Sequence, residues 1–230
     1  MCGRFALDAT EETIAAAFAV GRIDLGKWMP SCNIAPTRKS PVLRQDSEGR
    51  RLDLLRWGLV PAWAKDPAVG NRMINARSET VAEKPSYRSA FARRRCVVPA
   101  SGFFEWRPDR EGRQPYLVNS ICDDLLAFAG LWETWSGPHH ESMSTFTILT
   151  RNSDGVLRDL HDRMPVMLDH EGVDAWLSPG TSVSRLENLL GKDGTTDALR
   201  CFAVSRRVNS PGCDSPDLLK PVRDSLFPDQ

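Results

Sequence analysis

Short runs of β-branched, aromatic and other apolar residues recur along the chain, bounded by Pro, Gly and Asp, and predict strands. The runs are PVLR (41–44), LDLLRWGLV (52–60), RCVVPA (95–100), FFEW (103–106), PYLV (115–118), LLAFAGLW (125–132), FTILT (146–150), PVML (165–168) and CFAVS (201–205). They do not alternate regularly with helical segments, which argues against a doubly wound sheet. The pattern therefore predicts a compact, β-rich α+β fold.

Apolar residues at helical spacing predict three short helices. The three groups are Ile14, Ala17 and Phe18; Val173, Trp176 and Leu177; and Val183, Leu186 and Leu190. Asp8-Ala-Thr-Glu11 resembles a capping box, so we expect the first helix to begin near Asp8. No linker interrupts the chain, and we expect one domain over residues 1–230 with a loose tail after about 222.

Turn-forming residues mark three connections between these elements. DREGRQ (109–114) predicts a hairpin turn, and SGPHHESM (136–143) predicts an exposed loop that contains His139 and His140. NSPGCDSPD (209–217) predicts a surface loop that contains Cys213.

Thirty Lys and Arg residues balance thirty Asp and Glu residues, so the 230-residue chain has a formal net charge of zero. Any anion site must therefore be local, and the arginine clusters at 50–51, 93–95 and 206–207 are individually interpreted as solvated faces. The six cysteines show no CxxC pair and no zinc-like spacing, so we expect no metal and no other cofactor. The sequence contains neither a long apolar stretch nor a leader, which predicts no membrane contact and a reducing, cytoplasmic location.

The chain opens with MCGRF, which places a cysteine second. Removal of Met1, common when the next side chain is small, would make Cys2 a 1,2-aminothiol. Its amine and thiol, with reference pKa values of about 8 and about 8.5, are both partly nucleophilic at neutral pH. Such a residue can attack an amide, or form an imine with an aldehyde and close it to a thiazolidine. Position alone favours a plainer alternative, an inert buried cysteine.

Two stretches in the middle of the chain carry further polar candidates. In MINARSET (73–80) an extended backbone would put Asn75, Arg77 and Glu79 on one face, where they could orient a polar substrate and hold a phosphate. A solvated β face fits this stretch equally well. In SGFFEWR, Glu105 stands between two aromatic residues, and burial would raise its pKa toward the range useful for proton transfer. Strand alternation slightly favours the alternative that Glu105 faces water.

A histidine and two tryptophans complete the candidates. His161 lies in a polar turn ahead of a strand, with Arg163 two residues on, and could act as an acid or base near pH 7 at a pocket rim; a surface histidine fits equally well. In RWGLVPAWAKDP we expect Trp57 to be buried in a strand and Trp63 to be exposed in a loop, where it could stack on a base of single-stranded nucleic acid.

Seven motifs in order resemble one known family. They are MCGRF (1–5), Asn33-Ile-Ala-Pro36, RWGLVPAW (56–63), INARSET (74–80), CVVPASGFFEW (96–106), HDRMPV (161–166) and VSRRVN (204–209). Each is modest alone, but the ordered set spans nearly the whole chain and resembles the SOS-response-associated peptidase (SRAP) domain of abasic-site shield proteins. The 210–216 segment, with Cys213, matches no family role.

The resemblance implies a single β-rich domain of curved, barrel-like antiparallel or mixed sheets with a few flanking helices. It implies that Cys2, after loss of Met1, binds the ring-opened sugar of an abasic site covalently as a thiazolidine. Asn75 would hold the opened sugar and the N-terminus, Glu105 would shuttle protons in ring closure and reversal, and His161 would assist ring opening.

The resemblance also implies the partners. The substrate would be single-stranded DNA containing abasic sites, bound by a monomer at the nucleoid, with replication-fork proteins as further partners. By the same resemblance, Arg4, Arg77 and Arg163 would bind backbone phosphates, and further contacts would come from Asn33, Trp63, Ser205 and Arg206. Phosphate contacts give salt-dependent affinity without sequence readout.

Two other functions remain open at this point. The first is an N-terminal-nucleophile thiol peptidase, acting on its own leader or on other proteins through Cys2 with Glu105 or His161. The abasic-site processing enzyme that the resemblance implies would itself combine cross-linking with peptidase and lyase-type activity. The second is a non-enzymatic module for single-stranded DNA, in which Trp63 and the arginines matter and Cys2 does not.

Overall fold

The computed structural model of the protein describes residues 2–110, 112–122, 124–138, 141–191 and 198–222. Its strands are β1 (Phe5–Leu7), β2 (Arg22–Asp24), β3 (Ser31–Ile34), β4 (Lys39–Asp46), β5 (Gly49–Trp57), β6 (Asn75–Arg77), β7 (Arg95–Ala100), β8 (Gly102–Asp109), β9 (Gly112–Ser120), β10 (Leu126–Ser136), β11 (Ser142–Asn152), β12 (Arg163–Pro165) and β13 (Leu199–Ala203). Its α-helices are α1 (Glu11–Phe18), α2 (Arg88–Arg93), α3 (His170–Leu177) and α4 (Val183–Gly191).

Each predicted strand run overlaps a strand, although several runs extend beyond it. The run that begins at Leu52 leaves the sheet after Trp57, and the run that begins at Pro165 overlaps β12 by that one residue. The sequence pattern did not reveal the short strands β1, β2, β3 and β6, nor helix α2. Strands of three or four residues carry too few positions for alternation to be detected.

The first helix begins later than its capping box predicted. Thr10, not Asp8, is the N-cap residue of α1, and its side chain accepts a hydrogen bond from the N–H of Thr13. The N–H of Asp8 instead donates to Ser101 Oγ at 3.1 Å, directly after β1 ends. Asp8 therefore lies in the connection between β1 and α1 and does not cap the helix. The predictions for α3 and α4 are confirmed.

The strands form two sheets. The first is antiparallel, with the order β13-β9-β8-β1-β3. The second has the order β12-β11-β10-β7-β4-β5-β2, and β6 pairs with β11. A parallel pairing of β11 with β5 closes β11, β10, β7, β4 and β5 into a ring. The predicted α+β fold with curved, barrel-like sheets is confirmed.

The predicted connections agree with this topology where the structure describes them. β8 and β9 pair with Asp109 opposite Gly112, which confirms the hairpin, although residue 111 lies outside the described residues. His139, His140 and the tail from 223 onward also lie outside them. Of the helices that the structure describes, none has the length and apolar character needed to cross a membrane.

Aromatic side chains fill the core beneath the N-terminal segment. The Trp57 ring is fully buried, as predicted, and stacks on Phe146 with a centroid distance of 6.3 Å. Phe5 contacts the edge of Trp57 at 5.1 Å and approaches Phe128 at 6.5 Å. Edge-to-face and offset contacts of this kind add to the free energy gained by burial. They fix β1, and hence the residues just before it, against the ring of strands.

Gly58 ends β5 in a backbone conformation that other residues rarely adopt. Its φ is +117°, and a Cβ atom there would lie 2.4 Å from the carbonyl oxygen of Gly70. Gly49 has a similar φ of +112°, but a Cβ atom there would meet open space. We therefore expect Gly58→Ala to lower the free energy of unfolding by roughly 1–3 kcal/mol more than Gly49→Ala, since both carry the backbone strain and only the first carries the clash. Urea unfolding of both variants measures this difference, and equal losses would contradict it.

Candidate active site

Cys2 connects the two sheets. It precedes β1, and its carbonyl oxygen accepts a hydrogen bond from Asn75 Nδ2 on β6 at 2.7 Å. The side chain is fully buried, and Sγ lies 3.8 Å from the carbonyl oxygen of Arg4. The burial expected of an inert cysteine is present, but polar groups of both sheets surround the residue.

Glu105 on β8 is buried, with 4% of its surface exposed. The expectation from strand alternation, that it faces water, is wrong because both faces of β8 are covered. Phe104 packs on the opposite face against Val208 and Leu218 of the segment that follows β13. Burial raises the pKa of Glu105 to about 7, while the charge of the amino terminus and a bond from the Trp106 N–H act in the opposite direction. Glu105 can therefore both donate and accept a proton near neutral pH.

The carboxyl of Glu105 affects the pKa of the Cys2 thiol. β1 pairs with β8 so that Phe5 lies opposite Phe103, and the N–H of Phe104 donates to the carbonyl of Arg4 at 3.0 Å. The pKa of Cys2 is raised well above its usual range, first by burial and then by the negative charge of Glu105. A free thiolate is therefore disfavoured here, and the thiol needs a proton acceptor to react.

Asn75 is held in place from its own backbone. Its carbonyl oxygen accepts a hydrogen bond from the Tyr87 hydroxyl at 3.4 Å, and β6 pairs with β11 so that Asn75 lies opposite Ile148. The side-chain Nδ2 donates to the Cys2 carbonyl, whereas Oδ1 is buried and has no hydrogen-bond partner among the residues that the structure describes. This orphan oxygen can accept a hydrogen bond from a substrate hydroxyl or from an amine at Cys2.

His161 is half-buried immediately before β12. Its Nδ1 accepts a hydrogen bond from the Arg163 N–H at 2.9 Å and also lies 2.7 Å from Asp162 Oδ1. The Asp162 side chain is largely exposed, so we regard the fixed backbone contact as the stronger one, and it leaves the proton of the neutral ring on Nε2. Burial, followed by the charge of the amino terminus, lowers the pKa of His161, while Asp162 acts to raise it. The imidazole is therefore neutral at pH 7 and can donate from Nε2.

The MINARSET stretch is extended only as far as Arg77. Residues 78–80 form a 3₁₀ turn, so Glu79 does not continue the face of Asn75 and Arg77 as predicted. The turn directs Glu79 toward Arg163, and the two side chains form a bidentate ion pair. Arg77 itself is exposed at the end of β6.

Arg4 and Asn33 are buried together. Arg4 Nη1 donates to Asn33 Oδ1 at 2.7 Å and to the carbonyl of Val208 at 2.9 Å, and burial lowers the pKa of Arg4. Asn33 Nδ2 donates to the carbonyl oxygens of Val208, Ser210 and Cys213. Asn33 therefore fixes the 208–213 segment, which includes the predicted loop around Cys213.

The remaining candidates for DNA contact lie at the surface. Trp63 is 66% exposed in the loop after β5, as predicted. Ser205 is the N-cap of a 3₁₀ helix over 206–209, and Arg206 pairs with Asp109 at 2.5 Å. The structure thus brings Cys2, Asn75, Glu105 and His161 to one junction of the sheets, with Trp63 outside it.

Sequence reasoning missed the residues that support this junction. Tyr87, Thr150 and Asn152 bond to Asn75 or Arg163 from elements distant in the sequence. No motif marks them, because their role follows from the pairing of β6 and β12 with β11.

These observations define a class of β-rich protein. At the junction of its two sheets lie a cysteine near the N-terminus that is a candidate nucleophile, a carboxyl group of raised pKa and a neutral histidine. Residues 1–211 match the family model described as SOS response associated peptidase (SRAP). The chain belongs to this family.

Curated relatives agree with the family match. The chain is 40% identical to abasic site processing protein YoqW of Bacillus subtilis over 223 residues, 96% of this chain and 99% of that protein. It is 33% identical to abasic site processing protein HMCES of Rattus norvegicus over 271 aligned positions, 96% of this chain and 76% of that protein. A solved protein from Bacteroides thetaiotaomicron has the same fold, with a TM-score of 0.86 at 24% identity over 96% of this chain and 100% of that one.

The raised pKa of Glu105 has a consequence for stability. Its folded value of about 7 lies above the ordinary 4.5, so the folded protein loses stability as pH rises from about 4.5 to 7. Glu105→Gln removes this loss, and we expect the variant to be more stable than the wild type above pH 7, by roughly 3 kcal/mol at about 1.4 kcal/mol per pH unit. Below pH 4.5 both side chains are neutral, and the difference disappears. Chemical denaturation at pH 4.5 and pH 8 measures it, and a pH-independent difference would contradict the prediction.

Proposed function

We propose that the protein captures abasic sites in single-stranded DNA as a covalent DNA–protein cross-link through Cys2. The observation that carries this proposal is the position of Cys2 between Asn75 and Glu105. Burial and the raised thiol pKa argue against a thiolate that attacks amides by itself. A buried, protonated thiol suits a reaction in which the Cys2 amine attacks first and the Cys2 thiol adds afterwards. The relatives named as abasic site processing proteins support the substrate.

The reaction proceeds in two stages. After removal of Met1, the Cys2 amine adds to the aldehyde carbon of the ring-opened sugar, and loss of water gives an imine. The thiol then adds to the same carbon, a C–S bond forms, and the thiol proton passes to nitrogen, which closes the thiazolidine. Ring opening in the reverse direction protonates sulfur, breaks the C–S bond and admits water to the imine.

Three side chains serve these stages. Glu105 accepts the thiol proton and passes it to nitrogen as the ring closes. In reversal it transfers a proton from nitrogen to sulfur. The orphan Asn75 Oδ1 positions the amine and the opened sugar. His161 donates from Nε2 to the sugar oxygen and assists opening of the sugar ring. The residues act on one carbon atom, which explains why they lie at one junction.

The surrounding surface binds the DNA strand. Arg77, exposed beside Asn75, and Arg163 bind phosphates near the lesion, and Arg4 lies beneath the Cys2 segment. Trp63 stacks on a neighbouring base, and Ser205 and Arg206 border the strand. Asn33 is buried and supports Arg4 from beneath. Because the contacts are to phosphates, affinity falls with salt. The proposed site of action is the nucleoid, near replication forks, and the protein acts as a monomer.

The experiment is a denaturing gel. The protein is mixed with a single-stranded oligonucleotide that carries one abasic site, and with the same oligonucleotide without the lesion. We expect a heat-stable shifted band for the first only, and an intact protein mass that lacks Met1. A retained Met1 or the absence of a shifted band would overturn the proposal, and cleavage of unrelated peptides would favour the peptidase.

A further inference from the structure

The two terminal nitrogens of Arg163 bind the carboxylate of Glu79. Glu79 Oε1 lies 2.6 Å from Nη1, and Glu79 Oε2 lies 2.9 Å from Nη2. Two parallel N–H···O bonds are the geometry in which a guanidinium binds either a carboxylate or a phosphate. The carboxylate therefore occupies the position that a phosphate would take.

Two other bonds hold Arg163 independently of Glu79. Nη1 also donates to Asn152 Oδ1 at 2.7 Å, and Nη2 donates to the carbonyl of Thr150 at 2.5 Å. Each terminal nitrogen thus has one N–H bound to β11 and one bound to Glu79. If Glu79 leaves, the guanidinium stays in place with both remaining N–H groups aimed at the same spot.

The two partners differ in their access to water. The Arg163 side chain is 9% exposed, whereas the Glu79 side chain is 46% exposed. A buried guanidinium needs a counter-ion, and a half-exposed carboxylate can rotate into water at small cost. Bonds from Arg163 lower the pKa of Glu79, so Glu79 is charged at neutral pH. The Glu79 carboxylate can therefore be replaced by another anion, while the Arg163 guanidinium stays fixed.

We infer that Glu79 is a resident substitute for a DNA phosphate, which fills the Arg163 site in the free protein and is displaced by the backbone of a bound strand. The inference rests on the proposed function. Glu79 then lowers the affinity for every single strand, damaged or not, so that undamaged DNA is released. The finished cross-link at Cys2 is retained because a covalent bond does not depend on this affinity.

The experiment compares Glu79→Gln with Glu83→Gln by fluorescence anisotropy on an undamaged, labelled single strand. Glu83 is an exposed acid close in the sequence, so both variants change the net charge equally. We expect Glu79→Gln to tighten binding three- to tenfold at low salt. It should also steepen the slope of log K against log salt by about 0.7, the value for one phosphate charge, because no released carboxylate then offsets the phosphate at Arg163. Glu83→Gln should change affinity less than twofold, with the slope unchanged.

Two further variants guard against a folding defect. Glu79→Asp keeps the charge but is one methylene shorter and reaches Arg163 less well, and we expect a smaller gain in affinity. In an Arg163→Gln background, Glu79→Gln should give no gain. Binding by Glu79→Gln that equals Glu83→Gln or is weaker than wild type, or a gain that persists without Arg163, overturns the inference. Failure of wild-type protein to cross-link abasic DNA overturns the proposed function instead, whatever the anisotropy shows.

Discussion

Cys2→Ser should form no heat-stable cross-link with abasic single-stranded DNA, a loss of at least about 100-fold. The variant still presents an α-amine after Met1 is removed, because serine is also small, and the amine can still form an imine. The hydroxyl cannot close a stable sulfur-containing ring. We therefore expect an adduct of Cys2→Ser only after borohydride reduction, which converts the imine to an amine that survives the gel.

The control is Cys213→Ser, which changes a partly buried thiol outside the site and should cross-link as the wild type does. Noncovalent binding of Cys2→Ser to the undamaged strand should match the wild type. A heat-stable band with Cys2→Ser and no reductant would show that the thiol is not required, and the thiazolidine would be excluded.

Glu105→Gln should slow formation of the stable cross-link by about 10²- to 10⁴-fold, the range typical of a lost general acid–base group. The pKa of about 7 places the wild-type group at its half-ionised point near neutral pH, so the wild-type rate should rise with pH up to about 7 and then level. Glutamine cannot accept the thiol proton, and this inflection should vanish. Rates from quenched gels between pH 5 and pH 9 test both statements.

Glu12→Gln, on the exposed side of α1, is the control for a change of charge alone and should keep the wild-type profile. Reversal is measured by transfer of the cross-linked protein to an excess of competitor abasic strand, and it should slow in Glu105→Gln as well. A variant that forms the thiazolidine slowly but reverses the cross-link at the wild-type rate would show that another group transfers the proton during reversal.

The sequence predicted the long strands and three of the four α-helices. Nine-residue strands such as β5 and β9 carry enough apolar positions to be recognised. The sequence did not predict that Glu105 is buried. Strand alternation predicts that Glu105 faces water if only one face of β8 is covered. Here Leu218, more than a hundred residues away in the sequence, helps to cover Phe104 on the outer face, and both faces are covered. The motifs identified the site residues, but their assembly depends on pairings such as β6 with β11 that no local pattern encodes.

The segment that covers β8 also determines how much of the chain is needed for a working protein. The family match ends at residue 211, but Asp214 receives hydrogen bonds from Ser31 Oγ and the N–H of Cys32, both at 2.7 Å. The N–H of Val222 donates to the carbonyl of Ala203 at 2.9 Å and closes the segment onto β13. A chain that ends at the family limit would lack the Cys213 carbonyl to which Asn33 donates and the Leu218 side chain that packs with Phe104 on the outer face of β8. We therefore expect residues up to 222 to be needed to keep the outer face of β8 covered.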